Sequence, residues 1–158
     1  MSKRSKNIYI ACSMIKAKQL DFSLLDLLID FVREQNYLPF VPGKMEDAPS
    51  KAIFERDINW LKQSNIIIAD VNEPSHGVGM EIMYAYIHDI PVICLIDKRN
   101  RPLSRMVEGS PPVVLIEYKS KEDLIAKLNQ YLLEELNVKL CNSCNEKTLH
   151  KKNLCLKC

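Results

Sequence analysis

The sequence predicts an α/β protein built on a flavodoxin-like, doubly wound, five-stranded parallel sheet of order 2-1-3-4-5. Three observations carry this expectation: five short β-branched runs, stretches of helical period between them, and no internal repeat. The runs are NIYIAC from residue 7, YLPFV from 37, NIIIADV from 65, PVICLI from 91 and PVVLIEY from 112. Runs that are apolar at consecutive positions suit strands covered by helices on both faces. The helical stretches are 18–36, 50–63, 78–88, a short turn near 103–108, and 120–137. Ser50 and Ser120 stand where N-caps belong, the second followed by Glu122 and Asp123 in the first turn, as the helix dipole favours. In such a sheet the ligand lies at the carboxyl ends of the first and third strands, where the strand order switches. The segments of interest are therefore 11–18, 70–80 and 97–106.

A chain of 158 residues and 18.2 kDa accommodates one domain and a short appendage. With 47% hydrophobic and 27% charged residues it can bury a core, so disorder is not expected. No run approaches the roughly 20 apolar residues of a membrane span. The start, MSKRSKNIYIACSM, has too short an apolar stretch for a signal peptide, so the expected compartment is the cytoplasm. A net charge of +2 selects neither a nucleic-acid binder nor a strongly acidic protein. Its distribution is more informative: residues 139–158 hold Lys139, Lys147, Lys151, Lys152 and Lys157 against one acid, Glu146, together with four of the six cysteines. The expected division is a main domain over 1–138 and a tail over 139–158. Cys12 and Cys94 sit in apolar runs, where a thiol acts as a small hydrophobe.

Two carboxylates stand in apolar surroundings. Glu81 is the only charged residue from Gly77 through Ile87, and a carboxylate there is costly unless something uses it. Placed in the first helical turn, it would be kept ionised by the helix dipole, which suits a nucleophile or, more plainly, a dipole-compensating acid. Asp57 interrupts an apolar face of Ile53, Phe54, Ile58 and Leu61, whereas Glu55 and Arg56 lie off that stripe as solvated charges. Asp57 is either a structural acid satisfied by a neighbour or one of a catalytic pair. Two such acids suit glycosyl transfer, one attacking and the other donating a proton or orienting the substrate. Ser75 and the Gly77 and Gly79 amides precede the helix of Glu81 and can cradle an anion, with Ser13 and Ser104 on the same rim. Serines in loops are also common caps, and GVG alone is too short for a nucleotide fingerprint. Tyr9, within the first strand, reads first as core.

The segments IYIACS at 8–13, RDINWLKQSNIIIADV at 56–71, EPSHGVGMEIMYA at 73–85, and PVICL with LSRM at 91–106 resemble the 2′-deoxynucleoside 5′-phosphate N-hydrolases, relatives of the nucleoside 2-deoxyribosyltransferases. The resemblance spans about residues 7–132. It implies that Glu81 attacks the anomeric carbon, that Asp57 donates a proton or orients the substrate, and that Tyr9 helps hold the catalytic carboxylate and the sugar. It also implies that Ser13, Ser75 and Ser104 bind a 5′-phosphate, with Ser104 reaching into the partner's site of a homodimer. Transferases acting on unphosphorylated nucleosides carry an acid at the position of Ser75, so the serine favours monophosphates. The chain departs from the family at Ile15, where an Arg is common, leaving Lys16 or Lys18 as substitutes. The apolar helix 78–87, with Met80, Met83, Tyr84 and Tyr86, has surface to spare for a second copy.

Cys141, Cys144, Cys155 and Cys158 form C-x2-C-x10-C-x2-C, two knuckles of the kind that hold a tetrahedral zinc, with disulfides or a His150 ligand as alternatives. The intervening NEKTLHKKNL is too short for a core of its own, so metal is expected to supply the folding energy and to be structural. The expected activity is hydrolysis of the N-glycosidic bond of a (deoxy)nucleoside 5′-monophosphate through a glycosyl-enzyme on Glu81, with no redox cofactor. The alternatives are a nucleoside deoxyribosyltransferase, or a nucleotide-binding sensor without turnover whose zinc tail contacts nucleic acid.

Overall fold

The computed structural model describes residues 6–13, 22–131 and 133–158. Its main sheet has five parallel strands in the order β2-β1-β3-β4-β5: β1 Asn7–Ala11, β2 Leu38–Phe40, β3 Ile66–Asp70, β4 Val92–Asp97 and β5 Val113–Tyr118. Helices α1 Phe22–Glu34, α2 Ser50–Gln63, α3 His76–Ile87, the single turn α4 Arg105–Glu108, and α5 Lys121–Asn129 make the crossovers and follow the last strand. The fold class and strand order are those the sequence predicts. Residues 18–21 of the first expected helix lie outside the described residues.

The two-sided apolar runs sort by parity onto the two faces of the sheet. Ile8, Ile10, Ile66, Ile68, Ile93, Leu95, Val114 and Ile116 join Leu28 and Val32 of α1 and Leu124 and Leu128 of α5 on one face. Tyr9, Ala11, Ile67, Ala69, Cys94 and Ile96 meet Leu61 of α2 and Val78, Ile82 and Ala85 of α3 on the other. The Cys94 thiol, fully buried, is pushed up to about 12 by desolvation and packs as an apolar group. No helix among the described residues is long and apolar enough to cross a membrane.

Two local expectations differ from the structure. Ser50 is the first residue of α2 and Pro49 occupies the cap position, because Pro supplies the extended backbone there without a side-chain bond. Ser120 does cap α5, accepting from the Asp123 amide at 3.2 Å. The helix expected over 120–137 ends at Asn129, however, and a 3-10 turn at Leu133–Glu135 leads into a second, antiparallel sheet of order β6-β7-β8. Its strands are β6 Leu136–Leu140, β7 Lys147–Lys151 and β8 Leu154–Cys155. The apolar residues that extended the helical pattern are buried by a different backbone route: Leu133 enters the core from the turn, and Leu136 and Val138 pack on it from β6.

This ribbon is not a separate bead on the chain. Leu149 of β7 is 1% exposed and belongs to the same apolar cluster as Ile8, Val114, Ile116 and Leu128. All five tail lysines have local work to do. Lys147 pairs with Asp89 at 2.8 Å, Lys152 with Glu135 at 2.8 Å, and Lys151, Lys157 and Lys139 donate to the carbonyls of Gln130, Ser110 and Lys152. The short tail therefore borrows the core of the main sheet, which the length of NEKTLHKKNL does not reveal. Leu149→Ala should lower the stability of the whole fold by about 2–5 kcal/mol, read in one urea transition through the single tryptophan, Trp60, on the opposite face. A Trp60 transition left unmoved would mean that the ribbon folds apart from the sheet.

Candidate active site

Tyr9 and Glu81 meet because strand and helix each have only one way to present them. Tyr9 points to the α2/α3 face by the alternation of β1, and α3 lays Glu81 over it. The Tyr9 hydroxyl donates to Glu81 Oε1 at 2.6 Å. Glu81 Oε2 is buried and, among the described residues, without a hydrogen-bond partner. Burial raises the Glu81 carboxyl to about 7, with the charge of Asp57 adding to the rise and the Tyr9 hydrogen bond opposing it. The Tyr9 hydroxyl is itself driven far upward, first by burial and then by Glu81, and so stays a donor. The expectation that the helix dipole keeps Glu81 ionised is corrected here: Glu81 lies in the second turn of α3, the first turn holds no acid, and desolvation outweighs the dipole.

Asp57 on α2 belongs to the same electrostatic group, acting on both Glu81 and Tyr9. Arg56, expected in solvent, is instead only 23% exposed and donates from Nε to Asp57 Oδ1 at 2.8 Å. Its guanidinium lies over the Trp60 ring, 5.2 Å from the centroid, and Trp60 stacks on Phe40 at 5.1 Å and 8°. A helical wheel could not reveal this contact, because it reports polarity by angle and not the aromatic surface on which a guanidinium can rest.

Ser13, Ser75, Gly77, Gly79 and Ser104 line one cavity of about 480 Å³ at the carboxyl ends of the strands, between the start of α3 and the segment 100–107. Tyr9, Asp57 and Glu81 are not among its lining residues; α3 joins the two regions, its first turn bordering the cavity and its second carrying Glu81. Ser75 is the N-cap of α3, accepting from the Val78 amide at 3.4 Å, and the Gly79 amide donates to the Ser75 carbonyl at 3.1 Å. A Cβ added at Gly79 would meet no described residue beyond its own helix turn within 4 Å, and Gly79 lines the cavity. Ser104 caps α4 by position while its side chain makes no cap hydrogen bond. Ile15, Lys16 and Lys18 lie outside the described residues.

Three lining residues, Asn72, Glu73 and His76, go beyond the site candidates that the sequence offers. His76, the first residue of α3, is the one described lining side chain able to become a cation, while Glu73 is the acid on the same wall. Asn72 joins the rims: its Nδ2 donates to Asp70 Oδ1 at 2.6 Å and to the Tyr118 hydroxyl at 2.9 Å, and its Oδ1 accepts from the Asp97 amide at 2.7 Å and Asn100 Nδ2 at 2.9 Å.

The profile of the nucleoside 2-deoxyribosyltransferase family matches residues 8–153. The chain belongs to this family. A 5-hydroxymethyl-dUMP N-hydrolase of Danio rerio is 34% identical over 82% of this chain and 97% of its own length. A protein of Syntrophotalea carbinolica, provisionally named a 2′-deoxynucleoside 5′-phosphate N-hydrolase, is 38% identical over 52% of this chain and 59% of that protein. Among solved structures, a CMP N-glycosidase of Clostridium botulinum shares the fold, with a TM-score of 0.64 and 22% identity over 80% of this chain and 100% of that one.

Beside its sheet, this deoxyribosyltransferase-family chain carries a cluster suited to a metal. The Sγ atoms of Cys141, Cys144, Cys155 and Cys158 all lie within 4.8 Å of one another, with Cys141 and Cys158 3.6 Å apart. A tetrahedral zinc with Zn–S bonds of about 2.3 Å places its sulfurs about 3.8 Å apart, so the donors fit. Cys155 Sγ is approached by Thr148 Oγ1 at 3.2 Å and by the amides of Lys157 and Cys158 at 3.4 and 3.5 Å, and these bonds lower its thiol to about 5. Backbone bonds likewise lower Cys141 to about 7. Among the described residues His150 stands outside the cluster, its Nδ1 bonded to the Thr148 carbonyl at 2.9 Å.

The carboxyl of Glu81 has a measurable consequence. It keeps its proton in the folded chain to about pH 7, whereas the unfolded chain releases it near 4.5, so the folded state loses stability as pH rises between those values. Glu81→Gln abolishes that loss. The variant should match wild type near pH 4 and exceed it at pH 8 by about 3 kcal/mol. Equal stability differences at both pH values in thermal melts would refute the raised carboxyl.

Proposed function

We propose that this protein is an N-glycosidase that hydrolyses a nucleoside 5′-monophosphate, ribo or deoxy, to free base and (deoxy)ribose 5-phosphate. The observation that carries the proposal is the division of labour within one carboxyl group: Tyr9 holds Glu81 Oε1, and Oε2 is buried with no partner among the described residues. In the proposed reaction Oε2 attacks C1′ as the C–N bond breaks with its electron pair leaving on the base, which takes up a proton. Water then adds to C1′ of the glycosyl-enzyme, releasing the sugar phosphate and restoring Glu81. Asp57, salt-bridged to Arg56, orients the sugar and serves the proton transfers. The names of the Danio rerio and Clostridium botulinum relatives support this class of reaction.

Ser13, Ser75, Ser104 and the Gly77 and Gly79 turn are the proposed phosphate subsite, with His76 beside them. A serine at 75 favours a monophosphate, and hydrolysis, over transfer between unphosphorylated nucleosides. A homodimer is proposed, with Ser104 of one copy serving its partner. Met80, Met83 and Ile87 support it as an exposed stripe on α3 at 61%, 45% and 65%. The proposed compartment is the cytoplasm. The tail over 139–158 is proposed to bind one structural zinc, since four thiolates leave no position for water or substrate.

Base release from a panel of ribo- and deoxynucleoside monophosphates, followed by chromatography, tests the reaction. Wild type should release a base from at least one of them, and Glu81→Gln should lower kcat about a thousandfold while binding persists. Binding without any base release would leave a nucleotide sensor in place of an enzyme. Ser75→Asp should raise KM for the monophosphate at least about tenfold more than for the matching nucleoside; equal effects would remove Ser75 from the phosphate subsite.

Metal analysis of freshly purified, reduced protein should find about one zinc per chain. Cys144→Ser should lower that content, and a metal-free wild type would reject the site.

A further inference from the structure

We propose that Arg56 is a positioning residue of the active site: clamped on the face of Trp60, it fixes Asp57 and balances its charge beside Glu81. The proposal rests on the reading of Glu81 and Asp57 as the reacting pair.

Successive residues on a helix point about 100° apart, so Arg56 and Asp57 do not face each other by default. Arg56 and Trp60 do, one turn apart. The guanidinium rests on the indole at 5.2 Å and reaches sideways, so that Nε meets Asp57 Oδ1 at 2.8 Å. Trp60 is itself fixed, stacked within 8° of parallel on Phe40. Phe40 is the register partner of Tyr9 in the sheet, and the Tyr9 hydroxyl holds Glu81. Two routes thus leave Phe40, one through Trp60 and Arg56 to Asp57, the other through Tyr9 to Glu81, and they converge on the two carboxylates. A solvated arginine would show neither the aromatic seat nor a side-chain exposure of 23%.

The charge arrangement gives Arg56 a second task. Around Glu81 stand Tyr9 from β1, Cys12 just after that strand and Asp57 from α2, with Asp70 acting on Cys12 and Arg56 acting on Tyr9. Among the described residues Arg56 is the cation of this group. Without it, the negative charge of Asp57 acts unbalanced on a carboxyl that must ionise to attack.

The test is the titration of Glu81 by carbon NMR of protein labelled in its glutamate carboxyls, with Glu81→Gln providing the assignment. Activity is not required for this readout. In Arg56→Gln the Glu81 midpoint should rise by about half a pH unit or more, and in Arg56→Lys, which keeps the charge, it should stay near wild type. Where base is released, Arg56→Gln should lower kcat about tenfold with KM changed less than about threefold, and the acid limb of the rate profile should move with the midpoint. Arg56→Lys should recover only part of kcat, because an ammonium lacks the planar seat on Trp60. Retention of the wild-type Trp60 urea transition confirms that the variants fold. Wild type without base release but with the Glu81 midpoint moved in Arg56→Gln would overturn the enzymatic reading and keep the electrostatic role of Arg56. An unmoved midpoint in Arg56→Gln, or a loss confined to KM, would overturn the proposal in favour of direct substrate contact or no role.

Discussion

A carboxyl group buried beneath a helix and held by a single phenol hydroxyl sets the terms for everything around it. Tyr9 can reach Glu81 only from a central strand whose alternation turns residue 9 toward α3, and β1 is central because the chain returns to both of its sides, through β2 and β3. The order switch that directs ligands to the carboxyl ends of a doubly wound sheet also brings the start of α3, its serine cap and its open glycine together on the rim. The cost is thermodynamic: a carboxyl raised to about 7 works against folding at neutral pH, and the two-sided core offsets it.

Much of this was legible in residue order. Consecutive apolar positions announced strands covered on both faces, and the isolated charge of Glu81 announced a carboxyl in apolar surroundings, which the fold buries against Tyr9. The carboxyl's electrostatics were not legible, because the helix begins at His76 and Glu81 falls a turn deeper than first-turn placement requires. Arg56 was misplaced for a related reason: its seat is built from Trp60 and Phe40, and Phe40 belongs to another element. A period fixes the face on which a residue lies, not what arrives to cover it. The end of α5 was hidden by a degeneracy, since Leu133, Leu136 and Val138 satisfy one core by turn and strand as well as a helix would.

The cysteine spacing was legible as a metal motif, yet its attachment was not. In the ribbon, β7 turns Leu149 into the sheet's core while its lysines find carbonyls and acids of the main domain. Charges that in the sequence suggested a basic tail therefore act largely as tethers, each weak at the surface, around an apolar anchor that is not.

Leu149 also imposes an order in time. Leu149, near the far end of the sequence, joins the cluster that Ile8 opens on β1, the first strand synthesised, so one apolar face gathers residues from both ends of the chain. Non-local closure is slow, because chain entropy is lost before the contact repays it. A nascent chain that has made all five parallel strands still presents an open patch around Val114, Ile116 and Leu128. During that interval the protein is a candidate for chaperones and for self-association.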